Sequence, residues 1–350
     1  MKKFCTRFLI FFFPVLLLGI LESFLPPTFF TWRQWEGLAF SSRTPHVAPF
    51  YPNTQSSMMS QGDLCHHTPH AIFKPETWTV DKLGFRNATF EEQADILFIG
   101  DSQIAGSSLE QQNILSEKVK AAFGGKAHTY NMAPCSFAQL ELYLLRGQIK
   151  KPRLIIFSNT EAMTPPLFKP LNRLSTKNKM QGLLETGNLN TRIDRFIRFY
   201  SVQWLRARLL STVHGAPSPV NPDLFFYNSY RDVNKDPRPT IASILSYKKY
   251  CDEQGIDFIY MPVPSKHTVY YEMAALPSQP DYVYRVVDSL ENRGVKCINT
   301  QEVFNRSRKE GIGWLFHLDD MHLNATGTQV LTNEIVQLDD PVMADLRSRK

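Results

Sequence analysis

The sequence has few cysteines, no Lys/Arg-rich run and no internal repeat. Five cysteines are spread over 350 residues, Cys5, Cys65, Cys135, Cys251 and Cys297, and their spacings match no zinc-ligand pattern. The net charge is +6 and the sequence pI about 9.0. Without a recognition motif or a basic cluster, that excess gives no support for a nucleic-acid reader. It fits a protein held near an anionic membrane or polyanionic polymer, or a basic surface with no partner. Charged residues are only 21% of the chain, below an average soluble domain, while 43% hydrophobic residues suffice for a large core. Nothing in the composition points to disorder.

The N-terminus also lacks something. The apolar run Phe8–Leu21 follows Lys2, Lys3 and Arg7, yet no small-x-small cleavage site follows it; Leu25 and two prolines stand there instead. An uncleaved anchor over residues 1–25 is therefore expected, although the run reaches the ~20 residues of a full span only if Phe4, Cys5, Phe24 and Leu25 extend it. The basic flank puts the N-terminus in the cytoplasm and the remainder in the periplasm or outside the cell. Residues 26–80, rich in Pro, Ser, Thr and His, read as a juxtamembrane stalk. Cys65, His66, His67 and His70 fall in this stretch but without partners at ligand spacing, so no metal site is expected there. A Cys251–Cys297 bridge and free buried thiols both remain open.

From residue 94 a regular pattern begins. Short apolar runs at 94–100, 127–133, 152–159, 256–264 and 295–299 read as strands. Between and after them, 109–123, 136–149, 241–255, 281–294 and 322–338 carry helical spacing. Strands alternating with helices predict an α/β fold with a parallel sheet covered on both faces. Residues 161–235 break the rhythm as an insertion; its stretch 191–210 reads as a helix with five arginines, lying either on a membrane surface or in water. Residues 339–350 read as a loose polar tail.

Two segments carry chemistry. In ILFIGDSQIAGSS, 96–108, an apolar strand runs through Gly100 and Asp101 into Ser102 and then a helix, which places the serine at the carboxyl end of a parallel strand. In LFHLDDMHLNATG, 315–327, Asp319 and His322 stand three apart before a helix, with Asp320 as an adjacent competitor. A hydroxyl needs a neighbouring base to act as a nucleophile. Histidine has the right pKa for that work, and a carboxylate fixes its tautomer. Either segment alone reads first as a capped or polar helix start.

Together the Gly-Asp-Ser block at 100–102 and the D-x-x-H block at 319–322 resemble the SGNH/GDSL hydrolase superfamily, over roughly residues 80–338. His322-Leu-Asn-x-x-Gly327 resembles that family's H-x-N-x-x-G tail, and LGFRN at 83–87 resembles its G-F-R segment. The resemblance implies a flavodoxin-like three-layer sandwich. It implies an acyl-Ser102 intermediate with His322 as base and then acid, Asp319 orienting it, and no metal or organic cofactor. Its oxyanion donors would be the Ser102 N–H, the Ser136 N–H (where the family carries glycine) and the Asn159 side chain, although Phe157 replaces the third block's usual glycine. PVPSKHTVY at 262–270 is similar to a segment of alginate O-acetyltransferases and related polysaccharide-acetylation proteins, where Lys266 and Tyr270 would contact substrate. The order of blocks is the hydrolase one, so only the broader acyltransferase/esterase class follows. The reading is O-acetyl transfer to, or removal from, a cell-envelope polysaccharide, with a membrane protein as acyl donor in the transferase case. The alternatives are an anchored esterase or lipase on small or lipid esters, and a non-catalytic binding or assembly subunit.

Overall fold

The computed structural model describes residues 2–26, 28–41, 47–185, 188–210, 214–228 and 235–349. Its centre is a five-stranded parallel sheet of β3 (Ile96–Ile99), β4 (Thr129–Asn131), β5 (Leu154–Phe157), β6 (Asp257–Tyr260) and β7 (Lys296–Cys297), in the order β4-β3-β5-β6-β7. Each strand falls inside one of the apolar runs. Residues 96–99 and 154–157 are buried throughout, as in strands covered on both sides.

Alternation along these strands feeds two cores. Ile96, Phe98 and Ile156 point into one, closed by the helices Leu115–Ala122, Thr300–Lys309, Ala325–Gln337 and Pro341–Ser348. Leu97, Ile99, Ile155 and Phe157 point into the other, closed by Phe137–Leu145, Arg238–Gln254 and Tyr282–Glu291. The result is three layers. Numbered within the sheet the order is 2-1-3-4-5, so the direction of winding reverses between β3 and β5. Ligands of doubly wound sheets sit outside the carboxyl ends of the strands at this reversal.

Several sequence expectations are corrected here. Residues 26–80 form no stalk. The short helix Gln34–Leu38 and the antiparallel hairpin of β1 (Thr54–Ser60) and β2 (Lys74–Val80) pack with Phe50 and Trp78 into a small core of their own against the sheet domain. The expected tail is the helix Pro341–Ser348, started by Asp340 and burying Val342, Met343 and Leu346. The polar composition at 339–350 hid three apolar residues at helical spacing. The stretch 191–210 is two helices, Asn188–Arg198 and Tyr200–Leu210, divided by Phe199 at φ 47°. Cys251 and Cys297 are unbridged, as are Cys65 and Cys135.

Residues Lys2–Phe24 are helical and leave Phe4, Ile10, Phe11, Phe13 and Phe24 largely exposed. Among the described residues, however, no helix is long and apolar enough to cross a membrane, so the expected transmembrane helix is not found. The N-terminal helix lies along Asn188–Arg198.

Candidate active site

β3 ends at Ile99, and the chain turns sharply through Gly100 into the helix Ser102–Ala105. A side chain at Gly100 would meet the Ser158 carbonyl oxygen at 2.4 Å, so β3 and β5 reach this close only with glycine there. Asp101 starts the helix: its Oδ1 accepts from the Gln103 N–H at 2.9 Å. Its Oδ2 accepts from the Thr160 N–H at 2.8 Å, tying the end of β3 to the end of β5. Burial raises the Asp101 carboxyl above its ordinary value.

The second half of the site comes from the loop before the helix Ala325–Gln337. Phe316 and Leu323 bridge the loop's base, and the His317 N–H donates to the His322 carbonyl. The Gln103 side chain clasps the loop to the serine turn. Its amide donates to the Met321 carbonyl and its oxygen accepts from the Leu323 N–H, both at 3.0 Å. These bonds aim His322 at the serine, with Nε2 2.9 Å from the Ser102 Oγ.

The carboxylate behind His322 is Asp320, not Asp319. Asp320 Oδ1 lies 2.7 Å from His322 Nδ1, and its Oδ2 accepts from the Ser108 hydroxyl at 2.6 Å. Asp319 turns the other way. It pairs with Lys74 at 2.6 Å and accepts the Gly62 and Ile72 N–H groups at 3.0 Å each. Spacing three apart suits a carboxylate and a ring on one helix turn, but this loop is not helical. Here the carboxylate two positions back reaches both the ring and the His322 N–H, at 3.1 Å. A third carboxylate, Asp63, lies 3.7 Å from His322 Nδ1 and is paired with Arg33.

The electrostatics follow from this packing. Burial pulls the His322 ring down, but the Asp320 and Asp63 carboxylates outweigh it and raise the ring to about 9. Asp320 is held well below the usual carboxylate range: burial pushes it up, and the charge and hydrogen bond of His322 prevail. Asp63, Asp320 and His322 also form the one group among the described residues whose donor atoms lie close enough to share a cation. Two of those atoms are the pair that orients the ring, and Arg33 already neutralises the third. The donor set is thus committed to the imidazole, and a metal does not fit it.

The other expected site residues are placed differently from the sequence reading. The Ser136 N–H donates to the Gln139 side chain at 2.8 Å within a capping box that starts Phe137–Leu145, so it is not aimed at a substrate. The Asn159 amide donates to the Thr160 and Met163 carbonyls at 2.8 and 3.0 Å, which turns it into its own loop. Of the three expected oxyanion donors the Ser102 N–H remains, at a helix start where backbone N–H groups have no helical acceptor. Lys266 is buried and faces no substrate. Its ammonium donates to the His317 and Leu318 carbonyls at 2.7 Å and to the Asp320 carbonyl at 3.1 Å, while burial lowers it to about 7. The buried Tyr270 hydroxyl accepts from the Leu315 N–H. Both residues hold the backbone of the loop that carries Asp320 and His322, Lys266 through three carbonyls and Tyr270 at its start.

A cavity of about 590 Å³ opens beside Ser102 and His322. Trp35, Phe50 and Trp78, from the segment read as a stalk, form part of its wall. Their role had no signal in the sequence, since nothing in the spacing links residues 35–78 to residue 102.

No protein-family model and no curated protein sequence matches the chain. Among solved structures, one from Bacteroides fragilis NCTC 9343 described as a "putative acylhydrolase" is similar over 73% of this chain and 89% of that one. The identity is 11% and the TM-score 0.34, too low to bear on fold or function, and the chemistry is read from the side chains themselves.

Proposed function

We propose that this chain is an SGNH-type serine hydrolase or acyltransferase working through an acyl-Ser102 intermediate. The supporting observation is the hydrogen-bonded line from the Ser102 Oγ through His322 to Asp320, at 2.9 and 2.7 Å. In this reading His322 Nε2 takes the hydroxyl proton as Oγ adds to an ester carbonyl. It then returns that proton to the departing alcohol oxygen. Asp320 keeps the ring in the right tautomer and stabilises the imidazolium. The developing oxyanion faces the Ser102 N–H and the start of its short helix. Water completes hydrolysis, or a second alcohol completes transfer.

Asp101 and Gln103 position this machinery and do not react. The exposed apolar side chains of Lys2–Phe24 support contact with a lipid surface, which keeps the site close to membrane-borne esters. The mostly apolar cavity favours an apolar acyl ester over the acetylated cell-envelope polysaccharide expected for an anchored protein. The test is to incubate the full chain in detergent with an activated acyl ester and weigh it intact. An adduct of one acyl mass, absent in Ser102→Ala, is expected; no adduct between about pH 6 and 10 returns the chain to a binding role.

A further inference from the structure

We propose that the cavity beside Ser102 receives an aliphatic acyl chain of several carbons, longer than acetyl, and that Trp35, Phe50 and Trp78 set its length. The inference rests on the serine acyl-transfer reading and adds the substrate class. At about 590 Å³ the cavity is far larger than an acetyl group needs, and most of its lining surface is apolar. The polar side chains that reach it are largely engaged already. Asp101 holds the Gln103 and Thr160 N–H groups, Gln103 holds the histidine loop, and Asp63 is paired with Arg33.

A sugar ring filling this space would leave its hydroxyls short of partners, whereas methylenes need none. The aromatic wall is also fixed in place. Trp78 is 1% exposed, meets Phe50 edge-to-face at 4.8 Å and donates its indole N–H to Glu76 at 2.8 Å. The buried Arg86 guanidinium lies over the Trp78 ring at 4.3 Å. With its N–H satisfied, Trp78 offers the cavity only carbon. Trp35, half-buried at the same wall, carries Arg33 over its ring at 4.9 Å.

In the step itself the Ser102 Oγ–acyl carbon bond forms, and the serine proton passes to His322 Nε2. The acyl carbon–alkoxy bond breaks and the alcohol leaves with that proton. Water then attacks the acyl carbon, giving its proton to His322, which returns it to the Ser102 oxygen as the free acid departs. The acyl chain stays in the apolar cavity throughout. A soluble ester and a membrane lipid present the same chemistry to this cavity.

The full chain in detergent is assayed on p-nitrophenyl esters from acetyl to decanoyl, together with Ser102→Ala, Trp35→Ala and Ala39→Phe. The expected result is that kcat/KM rises roughly three- to fourfold per added methylene until the cavity is full. Trp35→Ala moves the optimum to longer chains, and Ala39→Phe, which fills the cavity, moves it to shorter ones. Either variant alone suffices should the other fail to fold. Fatty-acid release from phosphatidylglycerol vesicles identifies a lipid source, and the same chain-length preference without release identifies a soluble one. Ser102-dependent turnover that is fastest on acetyl, with a ranking neither variant alters, overturns the chain-length proposal and leaves the serine chemistry standing. Turnover that survives Ser102→Ala, or no turnover of any ester, overturns the serine reading itself.

Discussion

At the scale of single residues the site makes two predictions that separate it from its sequence neighbours. The first concerns pH. His322 is raised to about 9 because Asp320 and Asp63 outweigh the effect of burial. Below that value the ring holds both protons and cannot accept the serine's. So kcat/KM climbs close to tenfold per pH unit toward 9 and levels off above it. Asp63→Asn removes one of the two negative charges and moves the midpoint down. A pH–rate profile reads this directly, and an unmoved midpoint denies Asp63 its influence. The raised ring also contributes stability, present in full below its unfolded value near 6.5 and lost as pH rises through 9. The second prediction sets Asp320 against Asp319. Asp320→Asn leaves the ring in the wrong tautomer and lowers kcat by about 10³- to 10⁴-fold with the fold intact. Asp319→Ala leaves Lys74 buried without its partner and lowers the unfolding free energy by about 3–5 kcal/mol, measured by denaturant titration.

Among the elements, the loop that carries Asp320 and His322 is held in place because other elements hold its carbonyls. Lys266 begins a short helix capped by Ser265 and reaches three loop carbonyls at once. Lys266→Met keeps the stem's volume but strands those acceptors. The unfolding free energy should fall by about 1.5–3 kcal/mol, and kcat should fall more than KM rises, because the loop carries Asp320 and His322. Parallel stability and kinetic measurements on this variant distinguish the loop anchor from the substrate contact that its sequence context suggested.

That contrast shows what the sequence carries. Buried strands such as Ile96–Ile99 are legible because a parallel strand covered on both faces is apolar at every position. Ser102 is legible because a strand, a glycine and a short helix place it at a sheet edge. The choice between Asp319 and Asp320 is not legible. Neighbouring residues in a non-helical loop point in directions fixed by distant partners, here Lys74 for one and Ser108 for the other. Ser136 and Asn159 misled for a related reason: the Gln139 side chain and the carbonyls of their own loop occupy donors that spacing alone leaves free.

Taken as a whole molecule, the chain is a three-layer sheet domain in which part of the wall beside Ser102 comes from residues 1–80, and the two parts are joined by buried ionic and aromatic contacts. Lys74 on β2 neutralises Asp319, which is 1% exposed, while a side chain at Gly62 would sit 2.2 Å from the Asp319 carbonyl oxygen. Arg86, fully buried, donates to the carbonyls of Thr77, Gly106 and Leu109, joining the hairpin to the loop after the serine helix. A stalk would be removable without loss; a wall would not. Two truncations therefore part company. Removing residues 1–25 takes away a helix whose contacts run to Asn188–Arg198, and turnover of a soluble ester should stay within about threefold of the full chain, because no residue lining the cavity is lost. Removing residues 1–80 strands Asp319 as an unpaired buried charge and deletes Trp35, Phe50, Asp63 and Trp78 from the cavity. That chain should lose soluble-ester turnover altogether and unfold at a much lower denaturant concentration, since an uncompensated buried charge alone removes a large fraction of a domain's stability. Should the 81–350 chain keep full activity with the shorter truncation's stability, the segment 1–80 is a tether after all, and the acyl cavity must be sought elsewhere on the sheet edge.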